Sequence, residues 1–198
     1  MRTAAYCLKC SISNPGVSDL VPDRNSDLRK HDEKRLRGAW VLAFVVLGSV
    51  LGIPAIFLSE TYAGIMATWI SAPVIEELFK PFGVYLIIAF WPSTIRNQTS
   101  IAALAGLAGL AFGLFESTLY VYVYEPSGVG ENYALFRFTV PVGLHIVAST
   151  VFGLGVNREA FQSLGQGNLP ARRSWVFILA AMCLHASYNI AVTFLPSL

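Results

Sequence analysis

Apolar residues fall in five long runs, at roughly 38–58, 65–91, 101–124, 134–156 and 174–195. As a helix rising about 1.5 Å per residue, each is long enough to cross about 30 Å of hydrocarbon. The first is nearly pure Val, Leu, Ala, Gly and Phe. The third carries Ala103, Ala105, Gly106, Ala108, Gly109, Ala111 and Gly113. Such small residues let membrane helices approach closely, and the fourth and fifth runs are also rich in them. No internal repeat is evident. The pattern predicts an all-α fold, a polytopic membrane helix bundle of about five transmembrane helices.

A polar arm, residues 1–37, precedes the bundle. It holds a turn signal at Asn14-Pro15-Gly16 and the charged run Arg29-Lys30-His31-Asp32-Glu33-Lys34-Arg35. It is expected to be partly disordered, with a short helix leading into the membrane. The chain thus divides into an arm, 1–37, and a transmembrane domain, 38–198.

Composition supports this reading. Charged residues make up 13% of the chain, against roughly 25% in a soluble domain, and they are too clustered to coat one. Three cysteines make no disulfide framework. Met1 to Cys10 has neither an apolar core nor a small-residue cleavage site, so the first apolar run is expected to stay as a membrane helix. Nothing in the chain suggests a nucleic-acid partner.

The placement of basic residues predicts the orientation. Arg24, Arg29, Lys30, Lys34, Arg35 and Arg37 precede the first span. Arg96 lies between the second and third, and Arg158, Arg172 and Arg173 between the fourth and fifth. Five alternating helices put all of these on one side. The opposite loops hold Glu60, Glu125 and Glu131, with no basic residue before Arg137. The N-terminus is therefore expected in the cytoplasm, the C-terminus outside, and the chain in the cell membrane as a multi-pass protein. The sequon at Asn97-Gln98-Thr99 falls in a cytoplasmic loop on this reading and is discounted.

Ionisable groups inside a bilayer are costly, and each is a functional candidate. Glu76, Glu77 and Lys80 stand on the second span, Glu116 on the third, His145 on the fourth, and His185 with Asn189 on the fifth. Counted along helices, Glu76 lies about 16 Å from the outer end of its span and Glu116 about 22 Å from the inner end of its own. His145 and His185 are each about 16 Å in, from the outer and inner ends respectively. All four can share one layer near mid-membrane. Lys80 is placed to pair with Glu76 or Glu77 at helical spacing. His185 and Asn189 project the same way, as do Glu116 and Tyr120, and Arg137, Pro141 and His145. Pro73 and Pro141 suggest kinks that open the pocket to water.

The bland reading is that such residues only tie helices together through buried hydrogen bonds. It suits Lys80, Tyr120 and Arg137 best. Two adjacent glutamates are poor glue, because like charges raise one pKa, and a glutamate poised near neutrality serves as a general base.

Elimination narrows the chemistry. Every Asp lies at or before Asp32, which excludes an intramembrane aspartyl pair. No His-Glu-x-x-His motif is present, and no Gly-x-Ser-x-Gly turn surrounds Ser149 or Ser187. Glutamate with two histidines on separate helices remains, a set that activates water directly or through a metal.

Glu76-Glu77-x-x-Lys80, Phe115-Glu116-x-x-x-Tyr120, the Arg137–His145 stretch and His185-x-x-x-Asn189 resemble, in that order, the motifs of the PrsW family. That family belongs to the wider group of CaaX proteases and bacteriocin-processing membrane peptidases. The resemblance covers the second to fifth spans. It implies an intramembrane endopeptidase acting on membrane-tethered substrates such as anti-sigma factors. It implies Glu76 as the base, Glu77 as an orienting partner of Lys80, and His145 as holding water or metal. His185 and Asn189 would stabilise the oxyanion, or His185 would be a second metal ligand. Zinc is the divalent metal that His145 and His185 would suit. Glu116 departs from the wider group, which often has a His-bearing motif there, so the role of that position stays open.

Two other readings use the same residues. One is a proton or ion relay in a small transporter, although no inverted repeat supports it. The other is a degenerate member kept as a binding or immunity protein. Cys7-Leu-Lys-Cys10 is a lone pair of thiols, two ligands short of a closed zinc knuckle.

Overall fold

The computed structural model describes residues 24–54, 66–95, 97–124, 130–167 and 171–194. Cys7, Cys10, Arg96, Glu60, Glu125 and the 14–16 turn lie outside them. The described residues are helical with no strand, as the hydropathy pattern predicts. Those from Ala39 onward belong to one compact unit. The helices are α1 (Arg24–Ser49), α2 (Ala72–Phe79), α3 (Phe82–Phe90), α4 (Gln98–Leu119), α5 (Glu131–Gly155), α6 (Arg158–Gly165) and α7 (Arg172–Phe194). Two π-helical turns, Ala67–Ser71 and Tyr120–Tyr124, run into α2 and out of α4.

Three helices are long and apolar enough to cross a membrane: α4 with its π-helical extension, α5 and α7. The second apolar run differs from a continuous helix. It breaks after Lys80, where the Pro81 ring supplies no backbone N–H and α3 starts afresh at Phe82. The break leaves Glu76, Glu77 and Lys80 on a short helix of their own.

Small residues set how close the helices come. α4 and α5 pack along Gly106, Gly109, Gly113 and Gly153. A Cβ on Gly109 would strike the His145 carbonyl, so the backbone carrying His145 lies directly on α4. Gly48 of α1 meets the backbone of Gly83 of α3 in the same way. Val45, Val84, Ile87, Ile101, Ala108, Phe152 and Ala181 fill the core between the helices.

Backbone groups at the helix breaks find partners from neighbouring helices, as a low-dielectric setting demands. The Gln98 side chain donates to the carbonyls of Gly153, Leu154 and Val156 at 2.7, 3.1 and 2.9 Å, closing the end of α5. Pro141 lies inside α5 and has no N–H for the carbonyl of Arg137 one turn back. Ser117 of α4 fills that vacancy, its Oγ donating to the Arg137 carbonyl at 2.6 Å. The proline and the serine are thus two halves of one solution.

This pairing predicts a reciprocal mutational effect. Ser117→Ala should destabilise the fold by about 1–3 kcal/mol, the cost of an unsatisfied buried acceptor. The same change in a Pro141→Ala background should cost much less, because the alanine N–H supplies the helical bond. Thermal unfolding in detergent of the two single variants and the double variant measures the coupling. Additive losses would contradict it.

Candidate active site

Two adjacent carboxylates and a lysine on α2 form the centre. Glu76, Glu77 and Lys80 are all buried. Lys80 Nζ is 3.0 Å from Glu76 Oε2 and 2.8 Å from Glu77 Oε1. Helical spacing makes these contacts local, and they keep two anions together out of water. The ammonium also lies 4.6 Å from the centre of the buried Phe112 ring, a favourable cation–π distance.

The same ammonium reaches across to α5, where it stands 2.7 Å from His145 Nδ1. An ammonium only donates, so Nδ1 offers its lone pair and the ring proton sits on Nε2. Nε2 then donates to Glu116 Oε2 of α4 at 2.7 Å. On α7, His185 Nδ1 is 3.0 Å from Glu77 Oε1. A carboxylate only accepts, so Nδ1 carries a proton, and in the neutral ring Nε2 keeps its lone pair. That nitrogen faces Glu76 Oε2 at 3.6 Å. Two acceptors opposite one another satisfy neither. Glu76 Oε2 is buried without a hydrogen-bond partner; its approach to Lys80 is an ion pair outside hydrogen-bond geometry.

Each histidine therefore donates one ring N–H to a carboxylate and turns the other nitrogen toward Glu76. Ligating histidines in metal sites are oriented in this way. Donor atoms of Glu76, His145 and His185 lie within 4.8 Å of one another, and one carboxylate with two imidazoles is a donor set used by catalytic zinc sites. Glu76 Oε2, which accepts no hydrogen bond, and His185 Nε2, which faces it, are placed to fit a divalent ion. Lys80 contests the place, since its ammonium already holds His145 Nδ1 and Glu76. A metal taking those two donors leaves Lys80 to Glu77 alone.

A cavity of about 210 Å³ opens beside this cluster. Among its lining residues are Glu76, Glu116, Tyr120, Arg137, His145, His185 and Asn189. Of the nine candidate site residues, all except Glu77 and Lys80 thus reach one cavity, and those two are fully buried. Both π-helical turns contribute to its wall, through Thr68 of the first and Tyr120 and Tyr124 of the second. Turns of this kind occur often at functional sites. Arg137 lies over the Tyr120 ring, 3.7 Å from its centre, and its Nη2 is 4.0 Å from Glu116 Oε2. The carboxylate at position 116 stands between His145 and Arg137. Asn189 donates one amide hydrogen to the Thr68 carbonyl at 2.9 Å, securing the first π-helical turn.

Some contributors escape a reading of the sequence. Ser149 donates to Glu77 Oε2 at 3.2 Å; its place one turn after His145 was the available signal. Thr68 and Tyr188 line the cavity, and Phe112 also underlies Lys80. Threonine, tyrosine and phenylalanine are ordinary in apolar helices, so nothing marked these three.

The buried triad predicts strong coupling. Lys80→Met should destabilise by about 3–5 kcal/mol, because it leaves two carboxylates unpaired in the interior. Combined with Glu77→Gln, which removes one of those charges, it should cost clearly less than the sum of the single changes. A double-mutant cycle from chemical unfolding measures this, and independent effects would refute the geometry.

A family profile described as PrsW family intramembrane metalloprotease matches residues 36–198, which includes every element that carries the site. No curated protein and no solved structure matches the chain significantly. The matched stretch covers most of the sequence, so the chain is a membrane protein that belongs to the PrsW family of intramembrane metalloproteases.

Proposed function

We propose that this protein is an endopeptidase that hydrolyses peptide bonds of membrane-tethered proteins, using water activated at Glu76. One observation carries the reading. Glu76 Oε2 and His185 Nε2 are two bases facing each other at 3.6 Å on the wall of a cavity. Water bound between them would donate to the carboxylate, which then takes its proton as the oxygen attacks. Holding water against a fixed base, away from bulk solvent, lowers the entropic cost of attack.

The other residues follow from their contacts. Glu77 orients His185 and Lys80. Lys80 keeps His145 in the tautomer that presents Nδ1, and Glu116 holds its other nitrogen. Asn189 secures the turn that carries Thr68. Glu76, His145 and His185 are the residues that would hold a divalent metal, with zinc best suited to one carboxylate and two imidazoles. Bound there, it would lower the pKa of a coordinated water and polarise the carbonyl. The distribution of Lys and Arg between loops supports a multi-pass arrangement in the cell membrane, N-terminus in the cytoplasm, C-terminus outside.

Two measurements test this. The first is a terminal-peptide survey of membrane proteins from cells expressing the wild type or Glu76→Gln at matched, folded levels. New termini should arise with the wild type and fall by about 10²–10⁴-fold with the variant. Equal termini in both would sink the peptidase reading and favour a relay or scaffold. The second is zinc titration of the purified protein by calorimetry. His185→Ala should abolish stoichiometric binding, and binding that persists unchanged would show that the metal sits elsewhere.

A further inference from the structure

Hydrolysis of a peptide bond needs a donor for the oxygen that becomes negative, besides a base for the water. The cavity wall contains N–H and O–H donors that no described residue accepts from. Arg137 Nε and Nη2 are buried with no hydrogen-bond partner among the described residues, and so is the Tyr188 hydroxyl. Both side chains line the same cavity as Glu76. Leaving such donors unmade costs about 1–3 kcal/mol each, more for a charged group. A guanidinium with two unpaired N–H groups in a cavity is a ready receptor for an oxygen.

The arginine is held as a fixed receptor requires. Its guanidinium carbon lies 3.7 Å from the centre of the Tyr120 ring, its own carbonyl is anchored by Ser117 Oγ at 2.6 Å, and Pro141 stands four residues on inside the same helix. Glu116 forms an ion pair with it but takes none of its N–H groups: Oε2 is 4.0 Å from Nη2, beyond hydrogen-bond reach, and accepts from His145 Nε2 at 2.7 Å. Glu116 therefore links the arginine to the catalytic histidine without filling the donor edge. Asn189 is less available, with one amide hydrogen spent on the Thr68 carbonyl.

We infer that Arg137, with the Tyr188 hydroxyl, binds the carbonyl oxygen of the scissile peptide bond and stabilises the negative charge it gains. The inference rests on the peptidase reading above. In the step itself, the water oxygen bonds to the carbonyl carbon while Glu76 takes the water proton. The carbonyl π pair moves onto its oxygen, which accepts hydrogen bonds from Arg137 Nε and Nη2 and from Tyr188. Collapse returns that pair to carbon, breaks the C–N bond, and the departing amine takes the proton from Glu76. Because the interaction strengthens as charge develops, it acts on the transition state more than on bound substrate.

The test uses the full chain in proteoliposomes with a fluorogenic peptide built on a cut site found in the terminal-peptide survey. Steady-state kinetics are compared for wild type, Arg137→Gln, Arg137→Lys and Tyr188→Phe. Arg137→Gln should lower kcat by about 10²–10³-fold with KM little changed. Arg137→Lys should recover part of that loss, and Tyr188→Phe should lower kcat by less than Arg137→Gln does. An unchanged kcat in Arg137→Gln, or a raised KM with kcat intact, would overturn the assignment, the latter marking a substrate-binding subsite instead. If the arginine variants do not fold, Tyr188→Phe decides alone, and wild-type kcat there refutes the proposal. The two readings fail separately: cleavage that survives Glu76→Gln removes the reading of water activated at Glu76, whereas Glu76-dependent cleavage indifferent to Arg137 and Tyr188 removes only this one.

Discussion

One ammonium group, that of Lys80, organises the interior. It is fully buried and touches Glu76, Glu77 and His145 at 3.0, 2.8 and 2.7 Å. Two neighbouring carboxylates away from water would otherwise repel each other and lose their hydration. The lysine between them sets an opposite charge within 3.0 Å of each. The same cation dictates that His145 presents Nδ1 and donates from Nε2. From that follows the bond to Glu116, and through Glu116 the neighbourhood of Arg137. A single placement of positive charge thus passes through α2, α5 and α4.

The backbone answers a second constraint, that no peptide group be left unpaired in hydrocarbon. Pro81 separates the short helix carrying the glutamates from the rest of its segment, and Pro141 interrupts the helix carrying His145. Both prolines remove donors near Glu76 and His145. At Pro141 the debt falls on the Arg137 carbonyl and is met by Ser117. Breaks of this kind near the site, together with two π-helical turns on the cavity wall, let side chains point into a space that regular helices would fill.

Close packing of α4 and α5 holds the geometry. With Gly109 against the His145 carbonyl and Gly113 beneath its ring, the histidine has little room to rotate. Phe112 packs edge-on to the same imidazole, with centroids 5.4 Å apart. Dispersion contacts, weak singly, fix the ring collectively. A rigid ring with one nitrogen committed to a carboxylate is what a water- or metal-binding site requires.

The sequence by itself determined the all-helical class, the segments that carry polar residues, and that Lys80 is spaced to pair with Glu76 or Glu77, because these follow from length, hydropathy and spacing within one helix. It also marked most of the polar residues that line the cavity, since an ionisable side chain in an apolar run has few explanations. Only the tertiary structure decided that Glu77 serves His185, that Glu116 serves His145, that Ser117 answers Pro141, and that Asn189 turns to Thr68. The break at Pro81 was written in the chain, yet an apolar run of that length reads as one span. The physical reason is common to all of these. A helix apolar on every side gives no period from which its rotation can be read, and contacts between helices depend on rotation and register.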